Sequence, residues 1–572
     1  MSANAKVAEV LYEIGEILNI KGDRFRTRAF NMAAQRVTAL TEDIRDISRR
    51  GELEEIPSVG KSIAAIIEEV LETGGSSQLE ELRESLPRGV RELMELEGVG
   101  PKKAMRFQRE LEVASIDDLE AAIKAGKLRG LKGFGEKTEA NLLRSIEEHR
   151  MMQGRFLLGA VLPVIDDIVE YMAGSDSVLE VEVAGSARRS KETVGDLDLL
   201  VASKDSERVV EHFVSMPPII RVLSQGSTKS TVVLEKNLQV DLRVIQPQEY
   251  GAALQYFTGS KEHNVKLRTI AVKMGYKLNE YGLFDRDSDA RVAGETEEEI
   301  YRALGMSPIP PELRENRGEI EAAMVDGLPK LVTLDEIRGD LHVHTKWSDG
   351  IGTIEEMASG AMEQGWEYMA ICDHTKSLTI ANGLDEDRLI EQMDEIDGVN
   401  RELEGFTVLK GVECDIKSNG SLDLPDFVLS DLDFVIASVH SAFRMSEEEM
   451  TERVITAMHN PHVSAIGHPT GRLIQRRSPI SIKMDRLFEA AADQEVMMEI
   501  NAFPDRLDLD DVNCRTAMER GITMSIGTDA HAPNQLDFMA MGVSVARRGW
   551  LEPRNVVNTL SLEKMRSVLK RS

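Results

Sequence analysis

Apolar and polar positions change rhythm along this chain of 572 residues, and the changes divide it. Up to about residue 152 apolar residues recur at helical spacing, broken by short glycine-bearing turns, which predicts packed helices over 1–85 and again over 86–152. From 153 to about 250 the pattern shortens to the apolar runs of β-strands. A smaller segment, 251–315, follows. Pro308, Pro310 and Pro311 then introduce a charged stretch, 314–330, read as the linker (316–336) to a last region. From 337 to 572 short strands alternate with helices, with strands expected at 368–372, 434–438, 496–500 and 523–526. The expected class is a multidomain α/β protein.

Composition sharpens this outline. The length is that of about three to five domains, and 42% hydrophobic residues suffice for packed cores. Three cysteines without a Cys-x-x-Cys pair fit a reducing compartment, and without a leader pattern or an apolar run of membrane length a cytoplasmic monomer is expected. The net charge of −30 opposes binding to a polyanion. Basic clusters nonetheless occur at Lys21, Arg24, Arg26 and Arg28, at Lys102, Lys103, Arg106 and Arg109, and at Arg188, Arg189 and Lys191. The second of these adjoins a hairpin. Val59-Gly60-Lys61, Gly98-Val99-Gly100-Pro101-Lys102 and Gly133-Phe134-Gly135 each place a glycine turn between amphipathic helical stretches, where backbone NH groups and the next helix N-terminus can cradle a DNA phosphate without reading bases. Ser58 stands at the first glycine position of the first hairpin.

Two sets of side chains carry chemistry. In the last region nine potential ligands form one pattern: His342, His344, Asp349, His374, Glu413, His440, His468, Asp529 and His531. His-x-His on a strand turns both imidazoles to one face, and Asp529 and His531 repeat that spacing. Imidazole with carboxylate suits Zn2+, Mn2+ or Fe2+, and nine ligands are too many for one ion, so two or three are expected. Arg472, Arg476 and Arg477 follow His468 and could help hold a phosphate. Upstream, Asp196 and Asp198 share one strand face, and Asp241 is expected on a neighbouring strand. Three converging carboxylates repel one another unless Mg2+ or Mn2+ neutralises them. Gly185, Ser186, Arg189 and Gly195 lie where backbone NH, hydroxyl and guanidinium would meet a triphosphate.

Together with Tyr256-Phe257-Thr258-Gly259, Asn264 and Arg268, these residues make 1–315 resemble the family X DNA polymerases, the family of polymerase beta. The nine-ligand region, from Ile337 on, is similar to the polymerase and histidinol phosphatase (PHP) family, whose fold is a distorted seven-stranded α/β barrel. The first resemblance implies a nucleotidyltransferase palm (153–250) and a thumb (251–315). Tyr256, Phe257 and Gly259 would screen the sugar of a dNTP, Asn264 would touch the nucleotide, and Arg268 the template strand. The position that carries a lyase lysine in polymerase beta holds Ile66, so that lyase mechanism is not expected. The second resemblance implies one ion on His342, His344, Glu413 and Asp529, a second on Glu413, His440 and His468, and a third on Asp349, His374 and His531.

The reading that follows is a DNA repair polymerase. It would fill gaps in gapped or nicked duplex DNA, trim 3′ ends by a PHP 3′–5′ exonuclease or cut at abasic sites, and work with other repair proteins and no membrane. The competing reading makes the barrel a phosphatase for small esters or an inert scaffold.

Overall fold

The computed structural model describes residues 3–21, 23–38, 44–73, 75–94, 96, 99–111, 113–131, 134–152 and 154–569. Gly98 and Gly133, two of the expected hairpin glycines, lie outside them. Among the described residues no helix is long and apolar enough to cross a membrane.

The N-terminal helices close on one core that runs from Val7, Leu11 and Ile14 through Ile67 and Leu93 to Phe107 and Ile146. The two helical segments of the sequence therefore share an interior. The three hairpins repeat one arrangement: Val59, Val99 and Phe134 each donate an NH to the carbonyl three residues earlier, and Gly60, Gly100 and Gly135 open the helices Lys61–Thr73, Pro101–Leu111 and Glu136–Met152. Ser58 adopts φ 75°, the left-handed region that glycine occupies without strain. Lys61 and Lys102 are exposed, whereas Ile66 is buried in the core.

The β-rich region begins with β1 (Phe156–Leu157), β2 (Glu180–Val183), β3 (Thr193–Val194), β4 (Asp196–Ala202), β5 (Arg221–Gln225), β6 (Lys229–Val233) and β7 (Gln239–Ile245). Five of these make a sheet in the order β2-β4-β7-β6-β5, in which β4 and β7 are parallel and the other neighbours antiparallel, while β1 pairs only with β3. Alternation along β7 buries Val240, Leu242 and Val244 and turns Asp241 and Arg243 to the other face. Helices Leu158–Ala173 and Ser206–Val214 bring Val161, Ile168, Val209 and Phe213 into the same core as Leu197, Leu199 and Val240. Next come helices Tyr250–Thr258 and Lys261–Lys273 and a small antiparallel sheet of β8 (Tyr276–Asn279), β9 (Gly282–Asp285) and β10 (Arg291–Ala293).

The charged stretch read as a linker is folded into the molecule. Arg314 is 2% exposed and pairs with Glu297, and Glu319, fully buried at the head of helix Glu319–Met324, lies 2.7 Å from His263 Nδ1. Arg314 and Glu319 of this charged stretch thus each have an internal partner.

The C-terminal region is a seven-stranded, all-parallel sheet in sequence order: β11 (Gly339–Val343), β12 (Tyr368–Ile371), β13 (Thr407–Asp415), β14 (Phe434–Ser438), β15 (Ala465–Ile466), β16 (Met497–Asn501) and β17 (Met524–Gly527). Its edges meet through a parallel bridge between Val343 and Ala530, which makes a nearly closed barrel. Asp340 fastens the seam, because its buried carboxylate accepts hydrogen bonds from the Thr528 NH at 3.1 Å and the Thr528 hydroxyl at 2.5 Å. Cys372 and Cys414 are small buried residues of the strand region, as their sequence surroundings imply.

Two candidate metal centres

All nine expected ligands of the barrel stand on β11 and β13 or on the loops after β11, β12, β14, β15 and β17, at the C-terminal ends of the strands. Glu413 sits at their middle, 1% exposed. One of its oxygens lies 2.8 Å from His468 Nε2 and 3.2 Å from His440 Nε2; the other lies 2.8 Å from His374 Nδ1, 3.5 Å from His342 Nε2 and 3.7 Å from His344 Nε2. Asp529 Oδ1 is 3.0 Å from His344 Nε2, and Asp349 Oδ1 is 3.4 Å from His531 Nε2 and 3.7 Å from His374 Nε2. Three groupings converge closely enough for a shared ion: His342, His344 and Asp529; His374, Glu413 and His440; and His344, Asp349, His374 and His531. His344 and His374 join groups beyond those the resemblance implied, and His468 joins through Glu413.

Several of these residues have a buried orienting partner. Glu499, on β16, accepts a hydrogen bond from His342 Nδ1 at 2.5 Å and from the backbone NH of His468 at 2.6 Å. With Nδ1 held by Glu499, His342 turns Nε2 toward the centre, 3.1 Å from Nε2 of His344. Asp415 accepts from His440 Nδ1 at 3.1 Å, and the Asn501 amide donates to Asp529 Oδ2 at 3.0 Å. Asp373 takes hydrogen bonds from Thr345, Ser348 and Gln392 and thereby fixes the loop that carries Asp349. Gly527 is required behind this layer, since a Cβ there would stand 2.3 Å from the His342 Cβ and 2.6 Å from Glu499 Oε1. His468 and Asp529 hold left-handed backbones, φ 27° and 55°, a strain that the surrounding contacts sustain.

Sequence spacing missed Glu499. Its signal is a lone carboxylate in the apolar run of β16, at the depth of the ligands.

The donor set fits divalent cations. Burial together with His531 and His374 drives His344 down to about 3, so its imidazole is neutral, and its Nδ1 is buried without a hydrogen-bond partner. Burial alone would raise Glu413, but His440, His374 and His342 hold it well below the usual carboxylate range. Burial alone would lower His342, His440 and His531, but the carboxylates beside them raise all three, His440 to about 10 and His531 to about 9, so a divalent cation bound here would take the place of their protons. A cleft of about 530 Å3 opens onto Asp349, His374, His440, Asp529 and His531, with Lys6 and Val70 of the N-terminal helices on its far wall.

The second centre is sparser. Parallel pairing of β4 with β7 sets Asp198 directly beside Asp241, and Asp196 is two residues away on the same face of β4. Burial, then Asp196 and Asp241, push Asp198 up to about 6. The Thr231 hydroxyl donates to Asp241 Oδ1 at 2.6 Å. Gly185, at φ 65°, lies against Asp198, where a Cβ would come within 2.9 Å of Oδ2. Ser186 follows in the short turn, and Gly195 directly precedes β4.

Several expected contacts are already engaged inside the protein. Arg189 bonds to Glu315 at 3.0 Å and to the Thr258 carbonyl at 2.7 Å, and Arg188 pairs with Glu182 and Glu297. Arg188 and Arg189 of the basic cluster are thus engaged inside the protein, and Lys191 beside them is half-buried. The Asn264 amide donates to the Tyr256 carbonyl at 2.6 Å and accepts from Gln255 at 3.0 Å, which closes the turn at Gly259. Tyr256 and Phe257 lie under the guanidinium groups of Arg268 and Arg243. In the barrel, Arg472 is turned away from a phosphate role by Glu192 and by the carbonyls of Arg506 and Leu507, and Arg476 pairs with Asp505.

Comparison with known proteins agrees with this division. Profiles described as a helix-hairpin-helix domain, a SAM-like helix-hairpin-helix tandem, a DNA polymerase beta thumb and a PHP domain match residues 2–76, 90–148, 253–315 and 340–503. The chain is 40% identical over 99% of both lengths to the DNA polymerase/3′-5′ exonuclease PolX of Bacillus subtilis (strain 168). A probable phosphatase of Thermoanaerobacter sp. (strain X514) is 31% identical over 40% of the chain and 94% of its own length. Rat DNA polymerase lambda is 26% identical over 53% of the chain and 55% of its own length.

Proposed function

The chain belongs to the PolX family of DNA polymerases with a C-terminal PHP domain, and from that premise we propose that its palm fills short gaps in duplex DNA while its barrel trims the 3′ end to be extended. It is a DNA polymerase with a 3′–5′ exonuclease, and DNA is its substrate. The observation that carries the assignment of sites is the pair of separate carboxylate-bearing clusters, one of aspartates and one dominated by imidazoles.

In the palm, Asp196 and Asp198 would hold Mg2+ or Mn2+, with Asp241 the third carboxylate. Asp241 takes its Thr231 hydrogen bond on Oδ1, which leaves Oδ2 to accept the proton of the primer 3′-hydroxyl. Ser186 and the turn at Gly185 would meet the triphosphate of the dNTP. Tyr256, Phe257 and Gly259 would line its sugar, with Asn264 holding their turn, and Arg268 would face the template. In the barrel, the nine ligands would hold two or three Zn2+, Mn2+ or Fe2+ ions. Bound at either centre, divalent ions polarise the phosphoryl oxygens and lower the pKa of the attacking hydroxyl or water. Asp415 and Glu499 keep their imidazoles turned toward the centre. Gly60, Gly100 and Gly135, with Val59, Lys61 and Lys102, would rest the duplex on its phosphates without reading sequence.

A 5′-labelled primer on a gapped duplex tests this. Template-directed extension is expected when dNTPs are present, and 3′ shortening when they are withheld. The likeness to a probable phosphatase favours a second reading, hydrolysis of small phosphate esters by the barrel. Cleavage of such esters with the DNA primer left intact would select it.

A further inference from the structure

The palm segment between Ser186 and Asp196 has little support from its own sheet. It contains Ser190 at φ 52° and the two-residue strand β3, which pairs only with β1. Its outer side is fastened by the barrel instead. Arg548, at the end of helix Met539–Arg548 and 4% exposed in its side chain, donates to the Arg189 carbonyl at 2.6 Å and to Asp511 Oδ2 at 2.6 Å, and lies 3.2 Å from Glu315. Glu315 in turn pairs with Arg189, whose other nitrogen reaches the Thr258 carbonyl. A second fastening lies three residues on. Arg472 donates to Glu192 Oε2 at 2.7 Å while the carbonyls of Arg506 and Leu507, at 2.9 and 2.5 Å, hold its guanidinium in place. A third is Gln475, which donates to the Arg155 carbonyl at 2.9 Å; Arg155 in turn bonds to Thr193 at the head of β3.

These contacts converge on one strip of backbone, the strip joining the triphosphate turn to the aspartate strand. Buried guanidinium groups that each satisfy two or three acceptors fix geometry rather than merely add adhesion. Arg506 also stands 3.5 Å from Asp529, so the barrel loops that hold the palm strip touch the barrel's own ligands.

We propose that Arg548 and Arg472, both on the barrel, are positioning residues for nucleotidyl transfer in the palm: they set the strip 188–193 and through it the placement of Ser186 and Arg189 relative to Asp196 and Asp198. The inference rests on the palm reading given above. It makes the barrel a wall of the polymerase site as well as a separate nuclease.

The test is gap filling by the full chain, with nucleotide KM and kcat measured separately, alongside 3′ trimming and thermal melting. Arg548→Met is expected to raise the nucleotide KM about tenfold with a smaller change in kcat, since a displaced phosphate contact weakens binding first. Arg548→Lys, which keeps the charge but reaches fewer acceptors, should fall between it and the parent. Trimming should change by less than about twofold, because the guanidinium touches none of the barrel's ligands. Arg548→Met with unchanged melting and unchanged KM overturns the proposal. Should that variant melt early and lose both activities, Glu192→Gln decides, because it cuts the second fastening from the palm side and leaves the barrel's sequence intact. A KM raised about threefold there supports the proposal, and an unchanged one overturns it. Asp198→Ala run in parallel separates the two layers of argument, for extension surviving that change refutes the palm reading itself.

Discussion

The palm and the barrel both gather acidic side chains, yet they are built to opposite plans. The barrel encloses its ligands almost completely and gives them dedicated partners: Glu499 for His342, Asp415 for His440, Asn501 for Asp529. The palm offers three carboxylates on two strands, with Asp196 exposed, and its closest support for Asp241 is one threonine hydroxyl. A preorganised centre keeps its ions between turnovers, whereas a sparse one is completed by the triphosphate that arrives with its own oxygens. On the proposed reading one polypeptide would carry a standing metal cluster and a transient one.

The largest effect should come from breaking one centre at a time. Asp198→Ala is expected to cut extension by at least about 100-fold and leave trimming in place, and His344→Ala to do the reverse, in the labelled-primer assay. Trimming that survives His344→Ala would remove the barrel from the nuclease role. Next in size, Glu499→Gln should lower the barrel's metal affinity by about 10–100-fold without touching a ligand, as read by metal content after dialysis. Brief passage through a weak chelator sharpens the contrast further: trimming should persist while extension stops until Mg2+ is returned, and equal loss of both would erase the distinction between standing and transient centres. The smallest effect is on pH. Asp198 is raised to about 6, so it must shed a proton to bind a cation, and its affinity is full above that value and falls as the pH drops through it. The Mg2+ concentration giving half-maximal extension should rise about tenfold between pH 7 and pH 5.

What could be read in the chain beforehand follows from the same contrast. The barrel was legible through its family resemblance, and the gathering of candidate ligands partly through the spacing of His342 with His344 and of Asp529 with His531, which announces a shared strand face. Asp196, Asp198 and Asp241 were legible for the same reason, and β4 and β7 bring them side by side. Glu499 was not, for a single carboxylate has no interval to measure. Arg189, Asn264 and Arg472 show a different limit: sequence announces a donor but not what it is already bonded to, and here Glu315, Tyr256 and Glu192 hold them. Arg314 and Glu319 fall in the charged stretch that the sequence marks as a linker, and a sequence does not show that each has a buried partner.

Gly527 draws these points into one consequence. A methyl group at this position would crowd both His342 and Glu499, so a Gly527→Ala change could silence the nuclease while every residue of its signature stayed in place. A descendant of this chain carrying that change would still look fully armed to anyone counting histidines. Its loss would come to light only at the bench, as damaged ends left uncut beside a polymerase that still extends.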